Sequence, residues 1–240
     1  MLIINADDWG GWTEATDAAV PGLQQGRITS VTAMVFAEDS ERAASIAADL
    51  KLDVGLHLNL DGPIAPTVPC FAQHERVRSF LRRSRFAQLV YNPLLRGAFR
   101  DVFRAQWNEF IRLYGHLPVH IDGHHHLHLS LNVLLDRLMP KGSKVRRSFS
   151  FNSSQKGSVN RAYRSIVSSY LRRRYRTTDY FFSLEQVLQQ GKLGTVAAAA
   201  KHGTVELMTH PATREEAEFL LSSEFPRVFD GVKLASYAAL

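Results

Sequence analysis

Among the 23 acidic residues and ten histidines of this 240-residue sequence, those at four places stand out because each place lies on or just after an apolar run. They are the pair Asp7-Asp8, the single His57, the histidine-rich run 120–128, and His210. Five histidines in nine residues is a density that a solvated strand end rarely reaches. Such ligands suit zinc, and also manganese, iron or cobalt, whereas magnesium prefers a larger share of oxygen ligands. The four places together therefore predict a site for one divalent metal ion.

The adjacent carboxylates Asp7 and Asp8 suggest two different roles, one in metal binding and one in catalysis. Successive side chains of a strand point to opposite faces, so a regular strand could direct only one of them inward. Gly10 and Gly11 follow directly and would allow the chain to turn there. One carboxylate would then bind the metal while the other lies beside the metal-bound water. The alternative is that one aspartate only caps the following helix.

The histidine run offers more imidazoles than one ion can bind. In an extended segment His124, His126 and His128 would share one face. Some of them could bind the ion, and the others could hydrogen-bond a substrate or orient the ligands. His57 alone is a weaker signal, because a lone histidine on a mixed strand is more often simply hydrogen-bonded.

Each of the four places lies on or just after an apolar run. Such runs predict strands at residues 2–6, 28–37, 54–60, 117–122, 145–151 and 204–209. Helical spacing predicts helices at residues 13–25, 40–50, 98–114, 129–139, 159–175, 184–190, 196–201 and 214–222. This alternation favours one α/β domain, residues 1–240, with mostly parallel strands. Active sites of such folds gather at the carboxyl ends of the strands, so the four places should meet there.

Two stretches, near residues 61–97 and 141–180, look like insertions into this pattern. Between positions 141 and 176 there are 11 basic residues and no acidic ones, which leaves 18 basic and 23 acidic residues elsewhere. The net charge of +6 therefore belongs to one segment. Aromatic residues are interleaved in this basic segment, which could therefore attract an anionic partner such as nucleic acid. The simpler alternative is that the segment is a solvated surface.

The composition is that of a globular protein with a sizeable core, with 45% apolar and 22% charged residues. No apolar stretch approaches the roughly 20 residues of a membrane span. Residues 2–6 run directly into Asp7-Asp8, without the basic and hydrophobic regions of a signal peptide, so a cytoplasmic location is expected. The single cysteine, Cys70, excludes an internal disulfide and a cysteine-rich zinc site.

Five short segments carry a resemblance to a known family. They are, in order, 3–10 (IINADDWG), 26–30 (GRITS), 55–60 (GLHLNL), 122–128 (DGHHHLH) and 208–211 (MTHP). With this ordered set the sequence resembles the YdjC-like carbohydrate deacetylase family, which includes chitooligosaccharide deacetylases and hopanoid-associated members. Residues 234–237 (LASY) resemble the C-terminus of that family. Residues 9–12 (WGGW) differ from its usual Phe-Gly-Leu-Ser, which bears on the local helix cap and the shape of the sugar site.

The resemblance implies a TIM-like, irregular β/α barrel with its active site at the C-terminal ends of the strands. It also implies a hydrolase that removes the N-acetyl group of an amino sugar through attack of a metal-bound water. One divalent ion, zinc or magnesium, would be the cofactor. The implied metal ligands are Asp8, His57 and His124.

The resemblance implies roles for four further residues as well. Asp7 would be the general base and His210 the general acid, and His126 and His128 would bind substrate. Trp9 and Trp12 lie beside the proposed base, and their rings would either stack on a sugar face or pack the end of the barrel. On the first alternative, Trp9 is a further candidate substrate-binding residue. The family likeness also implies a homodimer.

Three functions stay open at this point. The first is the amino-sugar deacetylase, acting on an oligosaccharide or on a lipid- or nucleotide-linked sugar. The second is another metal-dependent hydrolase such as a phosphoesterase, which would bind two ions about 3.5–4 Å apart. The third and least favoured is a protein that binds nucleic acid or an anionic surface through residues 141–176. That function leaves the histidine run unexplained, so a nucleic-acid partner is not expected.

Overall fold

The computed structural model describes residues 1–148, 150 and 158–240, and of residues 158–165 the backbone alone. Its strands are β1 (Leu2–Trp9), β2 (Ser30–Ala33), β3 (Val54–Leu58), β4 (Ile121–Gly123), β5 (Tyr180–Ser183) and β6 (Val205–Thr209). They form one parallel sheet in the order β4-β3-β2-β1-β6-β5. Neighbours in sequence are neighbours in the sheet from β1 to β4, and β6 returns beside β1. This is the order of strands in a β/α barrel.

Helices follow the strands along the chain. They are α1 (Thr13–Gln24), α2 (Ser40–Asp49), α3 (Phe71–Leu81), α4 (Arg96–Tyr114), α5 (Leu131–Leu135), α6 (Ser158–Arg174), α7 (Leu184–Gln189), α8 (Leu193–His202), α9 (Arg214–Leu221) and α10 (Glu224–Val228). The α/β class predicted from the sequence is confirmed. Among the residues that the structure describes, no helix combines the length and apolarity that crossing a membrane requires.

The strands have one apolar face and one polar face, and both are buried. On β1, Leu2, Ile4 and Ala6 belong to a core cluster that includes residues of the surrounding helices. The alternate residues Asn5 and Asp7 are also buried, and the Asn5 amide donates to the Asp7 carboxylate. Polar residues at corresponding places on the other strands are Thr32, His57, Asp122 and Glu206. The sheet therefore curls around a polar interior, in which the candidate site residues converge.

β4 and β5 are the two edge strands of the sheet, and the described residues bridge the gap between them only in part. The Ile121 N–H donates to the Lys144 carbonyl at 2.9 Å, and the Arg146 N–H donates to the Ile121 carbonyl at 3.0 Å. Further on, the Ser150 N–H donates to the Phe181 carbonyl of β5 at 2.9 Å. The predicted strand 145–151 is thus reduced to isolated bridges, and its residues 149 and 151 lie outside the described part. The barrel expectation is met in strand order, and the sheet itself is a curled half-barrel.

The two insertion-like stretches extend the same core. Residues 61–97 include α3, whose Val77 and Leu81 pack in one cluster with Phe99 of α4. In residues 141–180, Leu171 and Tyr175 belong to that cluster too. This shared packing supports the interpretation of residues 1–240 as one domain.

The predicted helix 129–139 is wrong in extent. Residues 124–129 form a 3₁₀ turn, and α5 occupies only Leu131–Leu135. Arg137 has a φ of 54°, so the chain leaves the helical path before it reaches Pro140. The apolar spacing of this segment continues beyond the helix because the residues after the turn, such as Met139, are still buried.

We expect a methyl group at Gly55 of β3 to destabilise the protein. A Cβ there would lie 2.4 Å from the His120 ring, which is fully buried and stacked on Tyr237 with 3.7 Å between centroids. Because that ring has nowhere to move, Gly55→Ala should lower the free energy of unfolding by about 1–3 kcal/mol in urea denaturation. The control is Gly97→Ala in α4, where a Cβ meets nothing within 4 Å. It should be neutral or stabilising by up to about 1 kcal/mol, and equal stabilities of the two variants would contradict the argument.

Candidate metal and catalytic site

The end of β1 brings both Asp7 and Asp8 into the polar interior. Pairing with β2 shifts register between Ala6 and Trp9, and Asp8 has a φ of 59°. A left-handed residue interrupts the alternation of the strand, so the two carboxylates need not point to opposite faces. Aspartate tolerates this conformation better than most residues do. The turn expected at Gly10 therefore begins earlier, at Asp8 itself.

Three side chains from β1, β3 and the end of β4 form a compact donor set. Asp8 Oδ1 lies 3.2 Å from His57 Nε2 and 3.1 Å from His124 Nδ1. Two donors bound tetrahedrally at about 2.0–2.1 Å from one ion are about 3.3 Å apart. Asp8, His57 and His124 are one of the groups able to hold a metal ion, so these residues fit the metal expected from the sequence.

The orientation of His57 also fits a metal ligand. Its Nδ1 lies 2.7 Å from Asp122 Oδ1, and the Asp122 carboxylate is fully buried. With Nδ1 donating its proton to Asp122, a metal ion could take the place of the Nε2 proton that faces Asp8, as in the carboxylate–histidine–metal arrangement. Burial raises the pKa of Asp8, but hydrogen bonds with His124 and His57 outweigh it and hold that pKa well below its usual range. Asp8 is therefore ionised at neutral pH.

Arg146 holds the second carboxylate, Asp7, in a bidentate ion pair. Arg146 Nη1 donates to Asp7 Oδ2 and Arg146 Nη2 to Asp7 Oδ1, both at 2.6 Å. The same guanidinium lies 2.7 Å from Asp122 Oδ2 and donates through Nε to Glu206 Oε1 at 2.7 Å. Arg146 has no exposed surface, so these carboxylates replace its hydration. The polar interior is thus a network around one buried cation.

Sequence reasoning missed Arg146 because it lies in the basic segment 141–176. There it was counted with residues expected at a solvated surface or at an anionic partner. Its neighbour Lys144 also has internal partners, donating to the carbonyls of Tyr237 at 2.6 Å and Ala238 at 2.9 Å. The only local signal for burial is the apolar Val145 between them. Two of the basic charges in this segment are therefore used inside the protein.

His210 lies at the edge of the donor set, just after β6. Its Nε2 is 3.9 Å from Asp8 Oδ2, and its side chain is 38% exposed. Glu216 of α9 accepts the backbone N–H of His210 at 2.9 Å and the hydroxyl of Thr209 at 2.7 Å. This carboxylate fixes the turn that presents His210. A partly exposed imidazole beside a buried donor set is placed to meet a molecule that enters from solvent.

The segment 124–128 is not extended, so His124, His126 and His128 do not lie on one face of a strand. His125 and His126 have φ values of 50° and 59°, which turn the chain after His124. His126 packs edge-on against Phe181 at 5.6 Å between centroids. His128 is fully buried with Nε2 3.1 Å from the Arg146 carbonyl, and burial lowers its pKa to about 4. A substrate-binding role for His126 and His128 stays a prediction.

The two tryptophans near the aspartates have different environments. Trp9 is 1% exposed in the apolar core, and its indole N–H donates to the Ala43 carbonyl at 3.2 Å. Trp12 is 37% exposed. This placement favours a packing role for Trp9. Its contact with substrate stays a prediction.

Two other groups of side chains in the described part could hold an ion. Asp61 and His125 would share His124 with the first group, and Asp7 and Asp122 would share His57. His125 is 65% exposed and already pairs with Asp61 at 2.8 Å. Asp7 and Asp122 are bound by Arg146, which opposes a second cation there. The group around Asp8 is therefore the preferred metal site.

The fold and the site place the chain among α/β proteins whose functional side chains collect at the carboxyl ends of parallel strands. The sequence matches the family described as YdjC-like protein over residues 1–231, and the chain belongs to this family. The resemblance stated from the sequence is confirmed.

Relatives named for a deacetylase activity are similar over most of the chain. A chitooligosaccharide deacetylase of Proteus mirabilis (strain HI4320) is 30% identical over 220 residues, covering 88% of this chain and 81% of that protein. A carbohydrate deacetylase of Mus musculus is 27% identical over 245 residues, covering 88% and 77%. A crystal structure from Enterococcus faecalis V583, provisionally named a cellobiose-phosphate cleavage protein, has a TM-score of 0.69 at 23% identity and covers 99% and 97%. This last likeness shows the fold alone.

We expect the protein to bind one equivalent of zinc through the Asp8 group. In calorimetric titration of metal-stripped protein, His57→Ala and Asp8→Ala should weaken binding at least about 10-fold, because each removes a direct ligand. The matched control is His116→Ala, which removes an exposed histidine whose Nδ1 contacts only the carbonyl of Leu117 among the described residues. Two equivalents of equal affinity, or binding that survives both ligand variants, would contradict this assignment.

Proposed function

We propose that this protein is a metal-dependent hydrolase that removes the N-acetyl group from an amino sugar. The observation that carries the proposal is the arginine-bound carboxylate of Asp7 directly beside the donor set of Asp8, His57 and His124. Relatives named chitooligosaccharide and carbohydrate deacetylases support an acetylated sugar as the substrate. The sugar could be an oligosaccharide or one linked to a lipid or nucleotide.

Asp8, His57 and His124 would hold one divalent ion. Two imidazoles and one carboxylate favour zinc over magnesium, which prefers oxygen ligands. When bound, such an ion acts as a Lewis acid that lowers the pKa of a water and polarises the acetyl oxygen.

Asp7 is the proposed general base. Its Oδ1 accepts from Arg146 and from Asn5 at 2.9 Å, whereas Oδ2 accepts only from Arg146 among the described residues. Oδ2 therefore keeps a free lone pair, and we assign to it the proton of the attacking water. The two bonds from Arg146 fix the plane of the carboxylate, so Asp7 accepts this proton without reorientation.

His210 is the proposed general acid. As the new C–O bond forms and the amide C–N bond breaks, the amine of the sugar must receive a proton. The His210 imidazole is not one of the three proposed metal ligands, is 38% exposed, and has its Nε2 3.9 Å from Asp8 Oδ2. It delivers this proton, so that acetate and a free amino sugar leave.

Another metal-dependent hydrolase, such as a phosphoesterase, is the second candidate. The observation that favours it is the second group at Asp61, His124 and His125, since a phosphoesterase would use two ions. Binding of nucleic acid by residues 141–176 has less support, because Lys144 and Arg146 have internal partners. The cytoplasmic location and the homodimer stay predictions.

The first test is acetate release from N-acetylated chitooligosaccharides. Zinc-loaded protein should release acetate, and metal-stripped protein should do so only after zinc is restored. Asp7→Asn should lower kcat by about 10²–10⁴-fold because it removes the base, with zinc binding unchanged. Asp49→Asn, which neutralises an exposed aspartate of α2, is the matched control and should retain full activity. If Asp7→Asn kept full activity, Asp7 would not be the general base. If the protein released acetate from none of these sugars, the deacetylase function would be rejected in favour of the second candidate.

A separate test concerns the leaving group. His210→Gln should lower kcat by about 10²-fold or more on a free chitooligosaccharide, because the departing alkylamine needs a proton. An acetanilide-type substrate, whose leaving amine is far less basic, should be less affected. His202→Gln at the exposed end of α8 is the control. Equal losses on both substrates would argue that His210 has another role.

A further inference from the structure

A chain of buried side chains links the C-terminal segment to the catalytic carboxylate. Arg146, which binds Asp7, donates through Nε to Glu206 of β6 at 2.7 Å. The other oxygen of Glu206 accepts a hydrogen bond from the Tyr237 hydroxyl. Arg146, Glu206 and Tyr237 each have no exposed surface. We propose that Glu206 and Tyr237 are positioning residues that act through Arg146 to hold the base Asp7 in its productive orientation.

The guanidinium of Arg146 is a rigid, planar group. Its five N–H groups lie in one rigid plane, so the partner of Nε determines where the two Nη groups point. In this structure Nε points at Glu206 while both Nη groups reach Asp7. If Glu206 moves or turns, the fork rotates away from Asp7. The carboxylate that accepts the proton then loses its fixed plane.

Glu206 needs a second partner to stay in place. Burial raises the pKa of Glu206 to about 7, although Arg146 lowers it. A buried carboxyl with one oxygen unpaired is costly and can turn about its last torsion to find a donor. The Tyr237 hydroxyl removes that freedom, because it occupies Oε2 while Arg146 occupies Oε1.

Tyr237 is itself held on two sides. Its ring stacks on His120, with 3.7 Å between centroids and 9° between planes. Its carbonyl accepts from Lys144, two residues before Arg146. Upstream, the Ala235 N–H donates to the Leu2 carbonyl at 3.0 Å, which attaches the C-terminal segment to the start of β1. The segment thus contacts both the strand that carries Asp7 and the segment that carries Arg146.

The proposal rests on the proposed role of Asp7, and Tyr237→Phe tests it because this change deletes the hydroxyl but keeps the stacked ring. We expect kcat for acetate release to fall about 10- to 100-fold, with KM and zinc stoichiometry unchanged. The matched control is Tyr175→Phe, a buried tyrosine whose hydroxyl contacts the Met139 carbonyl at 3.4 Å, outside the network. Glu206→Leu should lose more activity than Glu206→Gln, which keeps an oxygen for Arg146.

A readout independent of catalysis separates this proposal from the proposed function. In protein labelled with ¹⁵N-arginine, the NMR signal of the Arg146 Nε–H should shift in Tyr237→Phe and stay fixed in Tyr175→Phe. If the wild type releases no acetate while this shift occurs, the proposed function fails and the link from Tyr237 to Arg146 stands. The positioning role would be overturned if the Arg146 signal did not move or if kcat of Tyr237→Phe equalled that of Tyr175→Phe. It would also be overturned if Tyr237→Phe lost activity only because the protein unfolded, as a lowered Tm would show.

Discussion

Burial of one positive charge is the constraint on which the interior of this protein depends. Arg146 has no contact with solvent, and an unpaired guanidinium in that position would be very costly. Asp7, Asp122 and Glu206 surround it, and each comes from a different strand of the sheet. The strands must therefore curl until their polar faces meet. The curvature of the sheet brings the three carboxylates around Arg146, and their pairing with Arg146 in turn stabilises that curvature.

The same network supplies the order that the candidate chemistry needs. Asp122 touches both Arg146 and His57, so the carboxylate that orients a metal ligand also belongs to the cluster that holds the base. Side chains locked by several buried partners reach reactive geometry without reorganisation. Asp7 and Asp8 are adjacent in sequence but belong to different parts of the site. The left-handed conformation of Asp8 lets both carboxylates enter the polar interior, and such local strain is typical of functional sites.

Much of the fold and part of the site could be predicted from residue patterns. The apolar run of β1 and the alternating residues of β3 indicate strands, and the intervening helical spacing indicates a parallel sheet. Parallel strands have their carboxyl ends at one edge, which is why the four polar places could be expected together. The choice of Asp8, His57 and His124 among them came from the resemblance to the family. The structure brings these three within hydrogen-bonding distance. It separates His126 and His128 from them, because positive φ angles follow His124.

By itself, the sequence determined the α/β class and placed the polar residues at the ends of apolar runs, because both features depend on local periodicity. The barrel was implied only by the resemblance to the YdjC-like family, and the order of the strands in the curled sheet comes from the structure. Only the tertiary structure decided that Arg146 is the partner of Asp7, 139 positions away. Apart from the apolar Val145 beside it, nothing local distinguishes the buried Arg146 from the solvated arginines of a basic run. The partner of a buried carboxylate depends on how distant strands pack together, and that packing is a property of the whole fold.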